Sequence, residues 1–230
     1  MKRRLTFSLN LSIVGFFLLA DPFQRNLEPF NQLSVKQSIK VTLIKGSECK
    51  AKLDILVGNP EDVLTEVKNG QLTLRIRPNV GYKDIETNAA PAYINLDVIN
   101  ISLTGMIERS DQLKREALGI DVGGSGCSKL KVFYNNLILD VSSSGFIEMS
   151  LKVNSLEAGV SSADHVELRG QVVDQVLDIS SGAYYKGFKI ISQRTLVNVS
   201  SGGWAQVHAR KKLDAYASNG GSVEFQGSNP

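Results

Sequence analysis

An apolar anchor followed by a short polar turn recurs about every nineteen residues from Leu118 to the C-terminus of this 230-residue chain. The anchors are Val122, Val141, Val160, Ile179, Val199 and Ala217, with spacings of 19, 19, 19, 20 and 18. The turns behind them read Gly123-Gly-Ser-Gly, Ser142-Ser-Ser-Gly, Ser161-Ser-Ala-Asp, Ser180-Ser-Gly-Ala, Ser200-Ser-Gly-Gly and Ser218-Asn-Gly-Gly. A fixed period of this kind marks a solenoid, in which each unit buries its apolar face only by stacking on the next.

The residues before each anchor alternate: Leu118, Ile120, Val122; Leu137, Leu139, Val141; Leu156, Ala158, Val160; Leu213, Ala215, Ala217. Alternation resumes after the turns at Ile147 and Met149, Val166 and Leu168, Ala205 and Val207, Val223 and Phe225. A period of two is that of a half-buried strand, whose successive side chains point to opposite faces. No unit holds a helical run, and Gly supplies the positive φ that a tight corner needs. Nineteen residues at roughly 3.3 Å each close a loop about 60 Å around, and six coils stacked at about 4.8 Å give a rod near 30 Å tall. The expected fold is all-β: a parallel β-helix-like β-solenoid with an N-terminal strand region.

Residues 1–20 read as an export signal: Lys2, Arg3 and Arg4 precede an apolar stretch from Leu9 to Ala20 that is too short to span a membrane. Residues 21–29 then form a leader, and 30–230 one domain, with strands over 30–117 and regular repeats over 118–230. Removing the signal lowers the formal charge from +3 to about zero, so the remaining chain has no basic footprint for nucleic acid and no membrane span. Arg210-Lys211-Lys212 reads as a solvated loop. Val35–Ile44, Cys49–Val57 and Gln71–Arg77 read as strands, Asn69-Gly70 as a tight turn, and Pro78–Pro91 as a polar loop. Cys49 and Cys127 permit one disulfide or two free thiols.

Several of these segments together resemble the putative auto-transporter adhesin, head GIN domain family of bacterial exported proteins. The resemblance rests on Ile39-Lys-Val-Thr-Leu-Ile-Lys-Gly46, the strand pair Glu66-Val-Lys-Asn-Gly-Gln-Leu-Thr-Leu74, the Ser-Gly corners and the ending Phe225-Gln-Gly-Ser-Asn-Pro230. It implies a β-helix-like module outside the cytoplasm (periplasm, outer-membrane surface or secreted) and brings no catalytic residues or cofactor.

The sharpest candidate site lies five residues after each anchor, where Cys127, Phe146, His165, Tyr184, Trp204 and Ser222 fall in one column. Facing outward, Phe146, His165, Tyr184 and Trp204 form a surface ladder of rings suited to sugars or partner side chains, with Glu148, Glu167, Lys186 and Gln206 beside it. Tucked over a corner, the same rings only stack on each other.

A catalytic reading of Ser161, Ser162, Asp164 and His165 is weaker, because neighbours on one corner diverge and the other repeats lack the Asp and His. His208 sits elsewhere in its repeat and makes no metal pair with His165. Asp121, Asp140 and Asp178 share a column suited to a hard cation, interrupted by Gly159. The Ser pairs are expected to link corners through their hydroxyls. The sequence thus favours a noncatalytic exported module that recognises a glycan or a cell-surface protein. A purely structural envelope module and a carbohydrate-active β-helix enzyme are the alternatives.

Overall fold

The computed structural model describes residues 23–81, 85–108, 113–162 and 165–227; the region read as an export signal and Asp164 lie outside them. The strands are β1 (Phe23–Asn26), β2 (Gln32–Lys36), β3 (Ile39–Thr42), β4 (Ile44–Lys45), β5 (Lys50–Val57), β6 (Val63–Lys68), β7 (Gln71–Ile76), β8 (Glu86–Tyr93), β9 (Val98–Ser102) and β10 (Met106–Glu108). There follow β11 (Leu113–Val122), β12 (Cys127–Ser142), β13 (Phe146–Ser161), β14 (His165–Ser180), β15 (Tyr184–Val199), β16 (Trp204–Ala217) and β17 (Ser222–Gln226). Together they build a β-solenoid of about six turns with coils of about nineteen residues.

From β12 onward each long strand stacks in parallel on its predecessor, so Cys127 meets Phe146, Val141 meets Val160 and Ser161 meets Ser180. A coil has two sides. In β12 alternation runs to buried Tyr134, breaks at the exposed pair Asn135-Asn136, and resumes at buried Leu137. The polar turn closes the coil. At Ser181-Gly182, Ser201-Gly202 and Asn219-Gly220 both central residues have positive φ. The amides of Ala183, Gly203 and Gly221 donate back to the carbonyls of Ser180, Ser200 and Ser218 at 3.1, 2.9 and 2.8 Å. This is the pattern of a type I′ turn, which favours Asn and Gly because it needs left-handed backbone twice.

Among the described residues main-chain groups, and not the expected serine hydroxyls, carry the bonds between corners. The amides of Ser144, Gly182 and Gly202 donate to the carbonyls of Ser162, Ser201 and Asn219 at 2.9, 3.0 and 3.1 Å. Ser143, Ser144, Ser162, Ser181 and Ser201 are exposed, because the positive φ turns their side chains out to solvent.

The anchor spacings of 20 and 18 have local causes. The β14–β15 register slips between Glu167/Lys186 and Arg169/Lys189, a bulge that places Gly187-Phe188 opposite one residue. The β15–β16 register slips back around Ser192, where β16 uses fewer residues.

Before β11 the coils leave chain order. β2 lies between β7 and β9, and β3 between β8 and β10, all parallel, so the first coil in sequence is sandwiched between later ones. The run Val35–Ile44 is broken by a corner at Gln37, whose φ is 61°. Pro78–Pro91 is not all loop: β8 begins at Glu86 and buries Thr87, Ala89, Pro91 and Tyr93 against β3 and β5. Its alternation was masked because the buried position Ala89 is as small as its neighbour Ala90.

One end of the rod is closed by antiparallel pairs: β6 on β7, β5 on β8 and β1 on β5. β1 falls in the segment read as a leader, and its Arg25 guanidinium donates to the carbonyls of Pro60 and Val63 and to Thr65 Oγ1, tying β1 to β6. At the other end Ala215, Ala217 and Phe225, expected in the core, are exposed, and among the described residues no coil lies beyond them.

Candidate functional site

The ring column leaves the turn on the outer surface of four consecutive coils. Ile147, Val166, Tyr185 and Ala205, the next residue in each coil, are fully buried, so alternation turns Phe146, His165, Tyr184 and Trp204 outward. Phe146 is 36% and Tyr184 50% exposed, while His165 and Trp204 are half-buried. The rings form two pairs. Phe146 and His165 stack with centroids 5.1 Å apart and planes 9° apart; Tyr184 and Trp204 are tilted by 55° at 5.9 Å. Cys127 and Ser222 end the column, and burial pushes the Cys127 thiol up.

Two residues further on, the flanking side chains make a second, charged row. Arg169 donates to Glu148 at 2.8 Å and to Ser150 Oγ at 2.7 Å, and Lys189 donates to Glu167 at 2.6 Å. His165 Nε2 lies 3.5 Å from Glu167. The Lys189 hydrogen bond, aided by its charge and by His165, holds the Glu167 carboxyl below its usual range. Trp204 Nε1 and Gln206 Nε2 donate to the two carboxylate oxygens of Glu224 at 3.3 and 3.2 Å. Lys186, half-buried, continues this row. A shallow groove of about 170 Å³ beside the column is lined by Lys129, Lys131, Glu148, Ser150 and Arg169. Partly exposed rings thus sit next to fixed donors and acceptors, a combination suited to a polar ring-shaped ligand.

The other sequence candidates are placed differently. The His165 imidazole is occupied by Phe146 and Glu167, while Ser162 is exposed on the corner. His208 Nδ1 lies 3.5 Å from the Gln226 amide nitrogen. In the acidic column Asn198 donates to Asp178 at 2.8 Å, and a Cβ at Gly159 would lie 2.8 Å from the Asp140 carboxylate, so glycine leaves that side chain room. Among the described residues no group of three His, Cys, Asp or Glu side chains is arranged for a metal, Asp121, Asp140 and Asp178 included. Cys49 and Cys127 are free thiols. Lys212 pairs with Asp214 at 2.6 Å on the surface.

Sequence reasoning passed over a buried polar cluster inside the same coils. Gln175 Nε2 donates to Thr195 Oγ1 at 2.8 Å, Ser192 shares a 2.6 Å bond with Thr195, and Ser192 Oγ donates to the His208 carbonyl at 2.9 Å. The fully buried Tyr185 reaches Gln175 across the core at 3.5 Å, and burial pushes its hydroxyl far up. Gln175 and Thr195 stand in the column of Leu137 and Leu156, and that break in an apolar column was the available signal.

The chain matches the family described as putative auto-transporter adhesin, head GIN domain, over residues 29–229. It belongs to that family. No curated protein matches it. Among solved structures, a putative adhesin from Parabacteroides merdae shares the head GIN fold with a TM-score of 0.75 and 16% identity, over 90% of each chain. A putative lipid binding protein from Parabacteroides distasonis superposes with a TM-score of 0.73 and 16% identity, over 91% of this chain and 98% of that one. A putative adhesin from the same species gives 0.72 and 15%, over 90% and 91%. At these identities the likeness is one of fold. Among the described residues no helix of this head GIN domain is long and apolar enough to cross a membrane.

Proposed function

We propose that this chain is a noncatalytic binding module of an exported protein and that it recognises a glycan across its ring column. The observation that carries the reading is the outward setting of Phe146–His165 and Tyr184–Trp204 beside the ordered row of Glu148, Arg169, Glu167, Lys189, Gln206 and Glu224. The exposed parts of Phe146 and Tyr184 take the apolar side of a sugar, and the charged row takes its hydroxyls. The adhesin naming of the family and the basic-then-apolar first twenty residues support an extracytoplasmic setting.

The test is glycan-array binding by the purified chain beside Phe146→Ala/Tyr184→Ala, two positions exposed enough to leave the fold intact. Trp204, the sole tryptophan, reports occupancy through its emission. Binding by the wild type that is lost in the double variant, with a matching Trp204 response, supports the reading. Silence from a folded wild type sinks it. The same stacking also favours a second reading, in which the rings only tie adjacent coils together; a melting temperature lowered in the variant, with no ligand to lose, selects it.

A further inference from the structure

The two ends of the rod are treated differently. The antiparallel cap closes one, where the outermost strands are β1 and β6 and β6 carries exposed Glu66 and Lys68. At the other, β17 adds a strand to only one side of the last coil, pairing with β16 over Trp204–His208. The second side, Lys212–Ala217, has β15 on one edge and no strand among the described residues on the other. The end is therefore a step: a strand-deep ridge, β17, beside a strand-deep notch over Lys212–Ala217.

Both parts expose residues that alternation assigns to the core. Phe225, in register with buried Val207, is 60% exposed; Ala215 and Ala217, in register with buried Val197 and Val199, are exposed as well. β16 and β17 hold none of the prolines or inward-facing charges that keep an edge unpaired, and Lys212 is neutralised within its own strand by Asp214.

We propose that this end is a self-association surface, on which two copies of the chain meet end to end about a two-fold axis and each β17 fills the other's notch. The occupant is argued from the fit of ridge to notch. The two sides of a coil run in opposite directions, so the second copy's β17 enters antiparallel to β16. The pairing that sets Phe225 opposite Ala215 also sets Val223 opposite Ala217, large against small on the inner face, and Gln226 opposite Asp214, donor against acceptor on the outer one. The shared layer completes one coil, continues the core, and leaves no edge at that end. Because a two-fold contact uses the same end of both copies, association closes at two.

The experiment is light scattering coupled to size exclusion, from about 1 to about 200 µM, on the full chain, Phe225→Lys and Ala215→Lys. Both positions are exposed in the single chain, and circular dichroism with Trp204 emission checks the fold. The wild type is expected at twice 25.1 kDa, and either lysine, unpaired in a closed interface, is expected to weaken association by roughly a hundredfold. A second measurement is oxidation of Ala215→Cys/Phe225→Cys in a Cys127→Ser background, expected to give a two-chain disulfide band. A single-chain mass throughout overturns the proposal and leaves the notch to a strand of another protein. A two-chain mass indifferent to both lysines places the interface elsewhere and overturns it equally, as does growth beyond two chains.

Discussion

Gly170 lies within β14 at a φ of 131°, and a Cβ built on it would stand 1.8 Å from the Leu151 carbonyl oxygen in the coil below. Alanine there meets two separate costs. The backbone conformation is nearly closed to L-residues, worth about 1–3 kcal/mol, and the collision must be relieved by moving backbone, worth about 1–3 kcal/mol more. Gly170→Ala is therefore expected to cost roughly 2–6 kcal/mol, a large share of the about 5–15 kcal/mol that holds a typical domain folded. Two further glycines separate the contributions. Gly182 has a φ of 73° with nothing within 4 Å of its built Cβ, so Gly182→Ala should cost only the left-handed backbone, about 1–2 kcal/mol. Gly119 has no positive φ and its nearest neighbour, the Asp97 carbonyl, is 3.9 Å away, so Gly119→Ala should fall within about 0.5 kcal/mol of wild type. Urea unfolding followed by circular dichroism and Trp204 emission measures all three. If Gly170→Ala falls within about 1 kcal/mol of Gly119→Ala, a deviation well above ordinary scatter, then coil-to-coil contact does not constrain β14 as argued.

Ser143 and Ser144 both hold positive φ, 57° and 64°, so Ser143→Asn/Ser144→Gly should stabilise by about 1 kcal/mol and raise the melting temperature; an unchanged or lower value would contradict left-handed backbone at both positions. Tyr185→Phe removes the hydroxyl that reaches Gln175 and should cost about 1 kcal/mol, whereas Tyr185→Ala opens a core cavity and should cost about 3–5 kcal/mol, both read from denaturant midpoints. Glu167 is held below its usual range by Lys189, so its contribution is fully present above the unfolded carboxylate value of about 4.3 and is lost as pH falls through the lower folded value. Lys189→Met should therefore lower the melting temperature slightly at neutral pH, since the pair is solvent-screened, and the difference from wild type should vanish as pH falls through the folded value.

Much of the architecture was legible because a solenoid writes its geometry into one dimension. The nineteen-residue spacing and the period-two alternation follow from strand geometry and from the need to stack each apolar face on the next, so the fold class, coil length and corners stand in the residues themselves. The outward direction of Phe146 and Tyr184 also follows from alternation, once Ile147 and Tyr185 are placed inside. What pairs with what beyond the next coil is another matter. That β2 sits between β7 and β9, that the small residues of β8 form a strand, that the rings divide into two pairs, and that Gln175, Thr195 and Ser192 meet around Tyr185 were decided only by the tertiary structure. A sequence period reports the distance between neighbours along the chain. Contacts between coils that are out of chain order, and between side chains that cross the core, depend on positions the period leaves open.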